Sequence, residues 1–212
     1  LKAHYPDAFM AALMTSDADD IDRLAIEISE CRHMGIEVML PDVNESYVEF
    51  AIVPQKNQIR FGMSAIKNVG VGAVEEIIRA REEGGHFKDI MDFVQRIDPK
   101  KVNRKVWESL AKSGGFEQLG ETRANILFNL DGLLALASKL HKEKTTNQAD
   151  LFGGIDSAAP SILPQFKFAA APEQMKDHDT LLYERELLGL YLSSHPLDGY
   201  GGYLEEKAVS ID

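Results

Sequence analysis

The chain has 212 residues, of which 44% are hydrophobic and 27% are charged, a composition typical of a folded globular protein. No apolar stretch approaches the roughly 18 residues that a membrane span needs, and the N-terminus lacks the pattern of a secretory leader. The single cysteine, Cys31, excludes an internal disulfide framework and is typical of a reducing cytoplasm. Because the sequence begins with Leu1 rather than methionine, we expect it to be part of a longer protein.

Charge is distributed unevenly along the chain. The net charge of -11 argues against a nucleic-acid partner. Residues 56–105, however, contain 11 Lys or Arg and 7 Asp or Glu, which gives this block a net charge of +4. Both flanking regions are acidic. Charge alone does not separate a binding surface from an ordinary solvated face, so other features of the basic block must decide.

The first predicted elements are two helices and a hairpin. Residues 6–15 and 19–34 predict the helices, and Gly35 follows the second one where a left-handed residue ends many helices. Residues 48–52 and 59–63 alternate apolar and polar side chains on either side of a polar turn. That alternation predicts a β-hairpin.

The remaining predicted elements are helical. Short helices separated by glycine or proline turns, which together form a compact helical domain, are predicted at residues 73–83, 87–97, 102–112 and 121–140. Residues 141–178 are rich in Thr, Ser, Gly, Ala and Pro, which predicts a linker arm, and residues 180–192 predict a last helix. The sequence therefore predicts a mainly α fold with a small β-hairpin, of the α+β class.

A Gly-Val-Gly turn lies inside the basic block. Gly70 and Gly72 directly precede the helix predicted at 73–83, where several backbone N–H groups have no partner and the helix dipole is positive. Glycine lets a phosphate approach the backbone closely, and we expect one of the two glycines to have a positive φ. Lys67 could add a charged contact.

Three interpretations of this turn compete. Glycines at a helix corner commonly serve packing alone. A dinucleotide fingerprint requires a third glycine where Glu75 stands, so that interpretation fails. A helix-hairpin-helix would hold the DNA backbone through its amides without reading bases. Glu75 and Glu76 would then repel phosphate, and the affinity would be modest.

A second glycine turn could act as a partner hairpin. Ser113, Gly114 and Gly115 lie between two predicted helices, with Lys112 and Arg123 nearby. Two such turns predict a tandem helix-hairpin-helix domain. From these residues alone, a stand-alone helix-hairpin-helix adapter in DNA repair or recombination stays open.

No metal or cofactor site is predicted from the sequence. The acidic stretch DADDID, at residues 17–22, precedes an amphipathic helix and is explained by helix capping and the helix dipole. The histidines show no zinc-ligand spacing with Cys31.

Six stretches, in order, resemble the catalytic alpha subunits of bacterial replicative DNA polymerases, which form polymerase family C. They are LKAHYPDAFMAALMT, ECRHMGIEVMLPDVNES, IRFGMSAIKNVGVGAVEEIIRAREEGG, NRKVWESLAKSGGFEQLGETRANIL, QADLF and ERELLGLYLSSHPLDGY. Their fixed order makes the resemblance far more specific than any one stretch.

The resemblance implies a division of the chain into five parts. Residues 1–46 would end the fingers domain, 47–65 would form the β-hairpin, and 66–140 would form the tandem helix-hairpin-helix that holds duplex DNA. Residues 141–178 would be a linker arm, and 179–212 would lead into an oligonucleotide-binding-fold domain. We predict DNA contacts at Lys67, Val69, Gly70, Val71, Gly72, Ser113, Gly114, Gly115 and Arg123.

The resemblance also implies protein partners. QADLF is similar to the family's internal motif for the bacterial sliding clamp, which predicts clamp contacts at Gln148, Asp150, Leu151 and Phe152. Other replicative holoenzyme subunits would be further partners. The family's catalytic carboxylates bind Mg²⁺ in a palm domain upstream of these stretches. We therefore expect no catalytic residue in this chain and no nucleotidyl transfer by it alone.

Overall fold

The computed structural model describes residues 2–150, 166–172 and 180–193. The fold is mainly helical and contains a three-stranded sheet, which confirms the predicted α+β class. Each predicted helical range within the described residues contains helix, although several boundaries differ. The range predicted as one helix at 121–140 contains two helices, which meet at Asn129.

Helices α1 (Pro6–Ser16) and α2 (Ile21–His33) form the N-terminal part. Helix α1 begins at Pro6, where the missing N–H of proline costs nothing. Helix α2 begins after Asp20, whose carboxylate accepts the backbone N–H of Arg23 at 3.1 Å. Gly35 follows α2 with a φ of +70°, as predicted. The local capping signals therefore locate both helices.

The sheet has the strand order β1-β3-β2. Strands β2 (Ala51–Ile52) and β3 (Gln58–Arg60) pair antiparallel, as the predicted hairpin requires, but are shorter than predicted. Strand β1 (Glu37–Met39) pairs parallel with β3 and was not predicted. A three-residue strand is too short to show a pattern of alternation.

The central helices are α3 (Val71–Gly84), α4 (Ile90–Arg96), α5 (Arg104–Ser113) and α6 (Arg123–Phe128). Their core contains an aromatic cluster in which the Phe93 ring lies 5.0 Å from both Trp107 and Phe116, edge to face with each. All three side chains are fully buried. This cluster joins α4 and α5 to the loop before α6.

Helix α7 (Leu130–Asp150) continues ten residues past the predicted end at 140, so the linker does not begin at 141. Tertiary contacts explain the difference. His141 lies 3.6 Å from Asp98, and the Lys144 ammonium donates to the Gln95 carbonyl at 2.6 Å. The start of the polar stretch that resembles a linker therefore continues the helix and contacts both α4 and Asp98, which follows α4.

Two further segments pack against this core. Residues 166–172 lie beside the junction of α6 and α7, where the Asn129 side chain both donates to and accepts from the backbone of Ala169. Helix α8 (Thr180–Leu188) packs against α5 and ends before Gly189, which has a φ of +80°. The prediction had continued this helix to residue 192.

Candidate phosphate-binding turn

Residues 66–72 form the turn that contains the Gly-Val-Gly sequence, and we call them the phosphate-binding turn. A 3-10 helix (Met63–Ala65) precedes it and α3 follows it. Ile66 and Val69 are buried, and the Val69 N–H donates to the Ile66 carbonyl at 3.0 Å. Val69, predicted to contact DNA, therefore packs into the core instead.

At the start of α3, three consecutive backbone N–H groups have no hydrogen-bond acceptor among the described residues. The N–H groups of Ala73 and Val74 donate to the Gly70 carbonyl. Within the described ranges, no acceptor lies at hydrogen-bonding distance from the N–H groups of Gly70, Val71 and Gly72. All three residues are exposed at the positive end of a 14-residue helix. This geometry suits an anion.

The two glycines are not explained by backbone strain or packing. Gly70 has a φ of -79°, and Gly72 lies within the helix. The positive φ predicted for one of them belongs to Asn68, at +69°, because asparagine tolerates the left-handed region. A Cβ at either glycine would meet no atom within 4 Å. Their effect is to leave the space in front of the amides open.

Residues distant in sequence hold the turn in place. The Asn68 side chain donates to the Ser109 hydroxyl of α5 at 3.4 Å. The Lys67 N–H donates to the Leu187 carbonyl of α8 at 3.0 Å. Asn68 and Ser109 were not predicted from the sequence, where their only signal is an asparagine directly before a Val-Gly pair.

The two glutamates at the start of α3 behave differently. Glu75 is exposed, whereas Glu76 is 1% exposed. The Glu76 carboxylate accepts from Arg79 at 2.6 Å, from the Asp98 N–H at 3.1 Å and from Lys101 at 3.2 Å. Of the two acids expected to repel phosphate, Glu76 is therefore buried, and the positive charges of Arg79 and Lys101 balance its negative charge.

The contacts of Glu76 predict a stability effect. Glu76→Ala is expected to lower the free energy of unfolding by about 2 kcal/mol, because it leaves the Asp98 N–H without its acceptor. This figure lies below the cost of breaking a fully buried pair, since Arg79 and Lys101 are about half exposed. Urea unfolding measures it. The control is Glu75→Ala, which should change stability by less than about 0.5 kcal/mol.

The same contacts predict a pH dependence. Burial alone would raise the pKa of Glu76, but the hydrogen bonds from Arg79, Asp98 and Lys101 outweigh it and hold the pKa below its usual value of 4.5. The contribution of Glu76 to stability is therefore complete above that value and is lost as the pH falls through the depressed pKa. The same loss of unfolding free energy at acid pH in the wild type and in the Glu76→Gln variant would contradict this.

The second predicted hairpin does not present its amides to solvent. Ser113, Gly114 and Gly115 are buried. The N–H of Gly114 donates to the Ala111 carbonyl, and that of Gly115 donates to the Leu110 carbonyl at 2.8 Å. Gly114 has a φ of +89° and ends α5. These glycines therefore form a helix C-terminus, which lacks the open donors of an N-terminus.

Arg123 is also engaged within the protein. Its side chain is 13% exposed and donates to the Lys112 carbonyl at 2.8 Å. It also pairs with Glu117 at 2.5 Å and lies 3.4 Å from the buried carboxylate of Glu184. Arg123, predicted to contact DNA, is therefore a structural link between α6 and its neighbours.

The predicted clamp motif divides at the end of α7. Gln148 and Asp150 lie in the last turn of this helix, so the motif begins on a helix rather than on an extended arm. Leu151 and Phe152 lie outside the described residues. Their predicted role stays a prediction.

Across the residues the structure describes, no three His, Cys, Asp or Glu side chains cluster as metal ligands would. In the same part of the chain, no helix is long and apolar enough to cross a membrane. Cys31 is a buried free thiol, and burial raises its pKa to about 11, which leaves it protonated at neutral pH.

Residues 35–126 match the helix-hairpin-helix motif family, and the phosphate-binding turn lies within this match. The whole chain is similar to DNA polymerase III subunit alpha. It is 41% identical to the protein of Saccharopolyspora erythraea over 201 residues and 42% identical to that of Vibrio cholerae over 200, which is 94% of this chain in each case. It is 40% identical to the Mycobacterium tuberculosis protein over 212 residues.

Over this segment the chain is similar to DNA polymerase III alpha subunits along its length. It spans 17% of the length of the S. erythraea and V. cholerae proteins and 18% of the M. tuberculosis protein. The similarity extends on both sides of the helix-hairpin-helix match at residues 35–126.

Proposed function

We propose that this segment binds the sugar-phosphate backbone of duplex DNA through the phosphate-binding turn. The observation that carries the proposal is the set of three exposed, unpaired N–H groups of Gly70, Val71 and Gly72 at the start of α3. Phosphate oxygens accept such hydrogen bonds, and the helix dipole favours their negative charge. The exposed Lys67 adds a positive charge beside the turn.

Binding through this turn is expected to be weak and independent of base sequence. Backbone amides hold phosphates and carry no sequence information. Because Ser113, Gly114 and Gly115 are buried, they supply no second set of amides for a phosphate. The exposed carboxylate of Glu75 repels a phosphate at the phosphate-binding turn. The segment would therefore assist a larger DNA-binding surface rather than replace one.

The whole protein is proposed to be a DNA-directed DNA polymerase of the bacterial cytoplasm, acting with other replicative holoenzyme subunits. The similarity of the chain to DNA polymerase III subunit alpha supports this. The Mg²⁺ ions of nucleotidyl transfer would be held by palm carboxylates elsewhere in that protein. A stand-alone repair adapter is less well supported, because the similarity includes the residues before position 35 that such an adapter would not share.

A second part of the proposal concerns the sliding clamp. Helix α7 carries Gln148 and Asp150 at its end. Lys144 bonds to Gln95 of α4, and His141 lies beside Asp98 just after α4. A clamp bound to QADLF would be tethered to the same segment that holds DNA. Such tethering raises the effective concentration of each partner at the other.

Fluorescence anisotropy with a short duplex tests the DNA-binding proposal. We expect a Kd on the order of 10⁻⁴ to 10⁻⁶ M at physiological salt, with equal affinity for duplexes of different sequence. The logarithm of the affinity should fall with the logarithm of the salt concentration, with a slope of about 0.9 per phosphate contacted. Marked sequence preference, or binding insensitive to salt, would contradict the proposal.

A further inference from the structure

Helix α8 contacts the phosphate-binding turn although it lies far away in the sequence. The carbonyl of Leu187 is in the last turn of α8, where carbonyls have no donor within the helix. It accepts the N–H of Lys67 at 3.0 Å. The backbone that leads into the open amides is therefore fixed to α8.

A buried carboxylate fixes the end of α8 in turn. Glu184 is 0% exposed, and its Oε2 accepts the N–H of Leu192 at 2.9 Å and that of Ser193 at 3.0 Å. The chain reverses between these residues at Gly189. Glu184 thus ties the segment that follows α8 back onto the helix.

The other oxygen of this carboxylate connects α8 to the central helices. Oε1 of Glu184 lies 3.4 Å from the Arg123 guanidinium, which also donates to the Lys112 carbonyl near the end of α5. Leu187 and Leu188 are buried in the same interface. The position of α8 relative to α5 and α6 is therefore set by this ion pair, by the apolar contacts around it and by the Lys112 ammonium, which lies 5.0 Å from the centre of the Tyr183 ring.

We infer that Glu184 is a positioning residue for the phosphate-binding turn. By holding α8 against Arg123, it holds the Leu187 carbonyl that orients Lys67 and the amides after it. Glu184 is itself buried and does not touch DNA. The inference rests on the proposed DNA-binding function of the turn, and it makes α8 part of the DNA site.

The coupling must act in both directions. A duplex bound at the turn favours the orientation in which the Lys67 N–H meets Leu187, so it stabilises the docked position of α8. A partner protein that displaces α8 would lower the affinity of the turn for DNA by the same factor. Residues outside the turn thereby change the affinity of the turn for DNA.

The test compares Glu184→Gln with Glu186→Gln, which makes the same charge change at an exposed position on the same helix. Glutamine at 184 places an N–H donor against either Arg123 or the two backbone N–H groups. We expect duplex affinity to fall about tenfold and amide hydrogen exchange at Lys67 to become about tenfold faster in Glu184→Gln. Glu186→Gln should change neither. Glu184→Asp keeps the charge but shortens the reach, so its effect should be smaller.

Duplex affinity and amide hydrogen exchange at Lys67 together separate this inference from the proposed function. If the wild type fails to bind duplex DNA, the proposed function is wrong, and exchange at Lys67 alone then decides whether Glu184 positions the turn. Unchanged exchange at Lys67, or faster exchange with unchanged duplex affinity, overturns the inference. If Glu184→Gln does not fold, Glu184→Asp is judged by the same two measurements.

Discussion

Replacing both Gly70 and Gly72 with valine is expected to abolish duplex binding while the fold survives. The two side chains would occupy the space in front of the open amides, so a phosphate could no longer reach them. Neither Cβ meets an atom within 4 Å, and the φ of Gly70 suits any residue. Valine at position 72 also favours the helix more than glycine does. Loss of binding would therefore report the blocked amides rather than unfolding.

Anisotropy with a duplex measures this loss, and circular dichroism checks that the helices remain. Val71→Ala is the matched control, since it changes an exposed side chain between the two glycines and keeps every amide. It should bind almost as the wild type does. Lys67→Ala should weaken binding without abolishing it. The slope of the logarithm of the affinity against the logarithm of the salt concentration should become smaller by about 0.9, the value for one phosphate contact. Full affinity in a folded double-valine variant would remove the turn from the DNA site.

Replacing Leu151 and Phe152 with alanine is expected to reduce affinity for the sliding clamp at least about a hundredfold. Burial of two such side chains in an apolar pocket contributes about 1.5–3 kcal/mol each, and truncation removes most of it. Gln148 should bond at the pocket rim, and Asp150 should contribute least. Surface plasmon resonance with the clamp of the same organism measures the change.

Asp150→Ala is the control for the clamp experiment and should bind the clamp nearly as the wild type does. Duplex affinity and the melting temperature should stay close to wild type in both variants. Clamp affinity that survives loss of Leu151 and Phe152 would place the clamp site elsewhere. A large drop in melting temperature would instead show that the two side chains belong to the core.

Local signals in the sequence were enough to locate most helices. Asp20 and Gly35 mark the two ends of α2 by capping and by a left-handed residue, and both effects depend only on nearby backbone. The hairpin of β2 and β3 was predicted from alternation. The end of α7 was not predicted, because the polar composition after residue 140 does not show that His141 contacts Asp98 and that Lys144 contacts Gln95.

The candidate site was only partly predictable, because one glycine pattern has two structural meanings. Gly70 and Gly72 precede a helix and leave its first amides open, whereas Gly114 and Gly115 follow a helix and close its last turn. Sequence spacing did not separate these cases. Nor could it show that Asn68 takes the positive φ, since that depends on how α5 and α8 hold the turn.

The most direct test of the central claim is a titration of the ¹⁵N-labelled chain with a short duplex, followed by the backbone amide signals. A phosphate held by the turn predicts that the amides of Gly70, Val71 and Gly72 shift most, with the same pattern for duplexes of different sequence. The buried amides of Gly114 and Gly115 should move little. Saturable shifts at other residues, with the signals of Gly70, Val71 and Gly72 unmoved, would contradict the account.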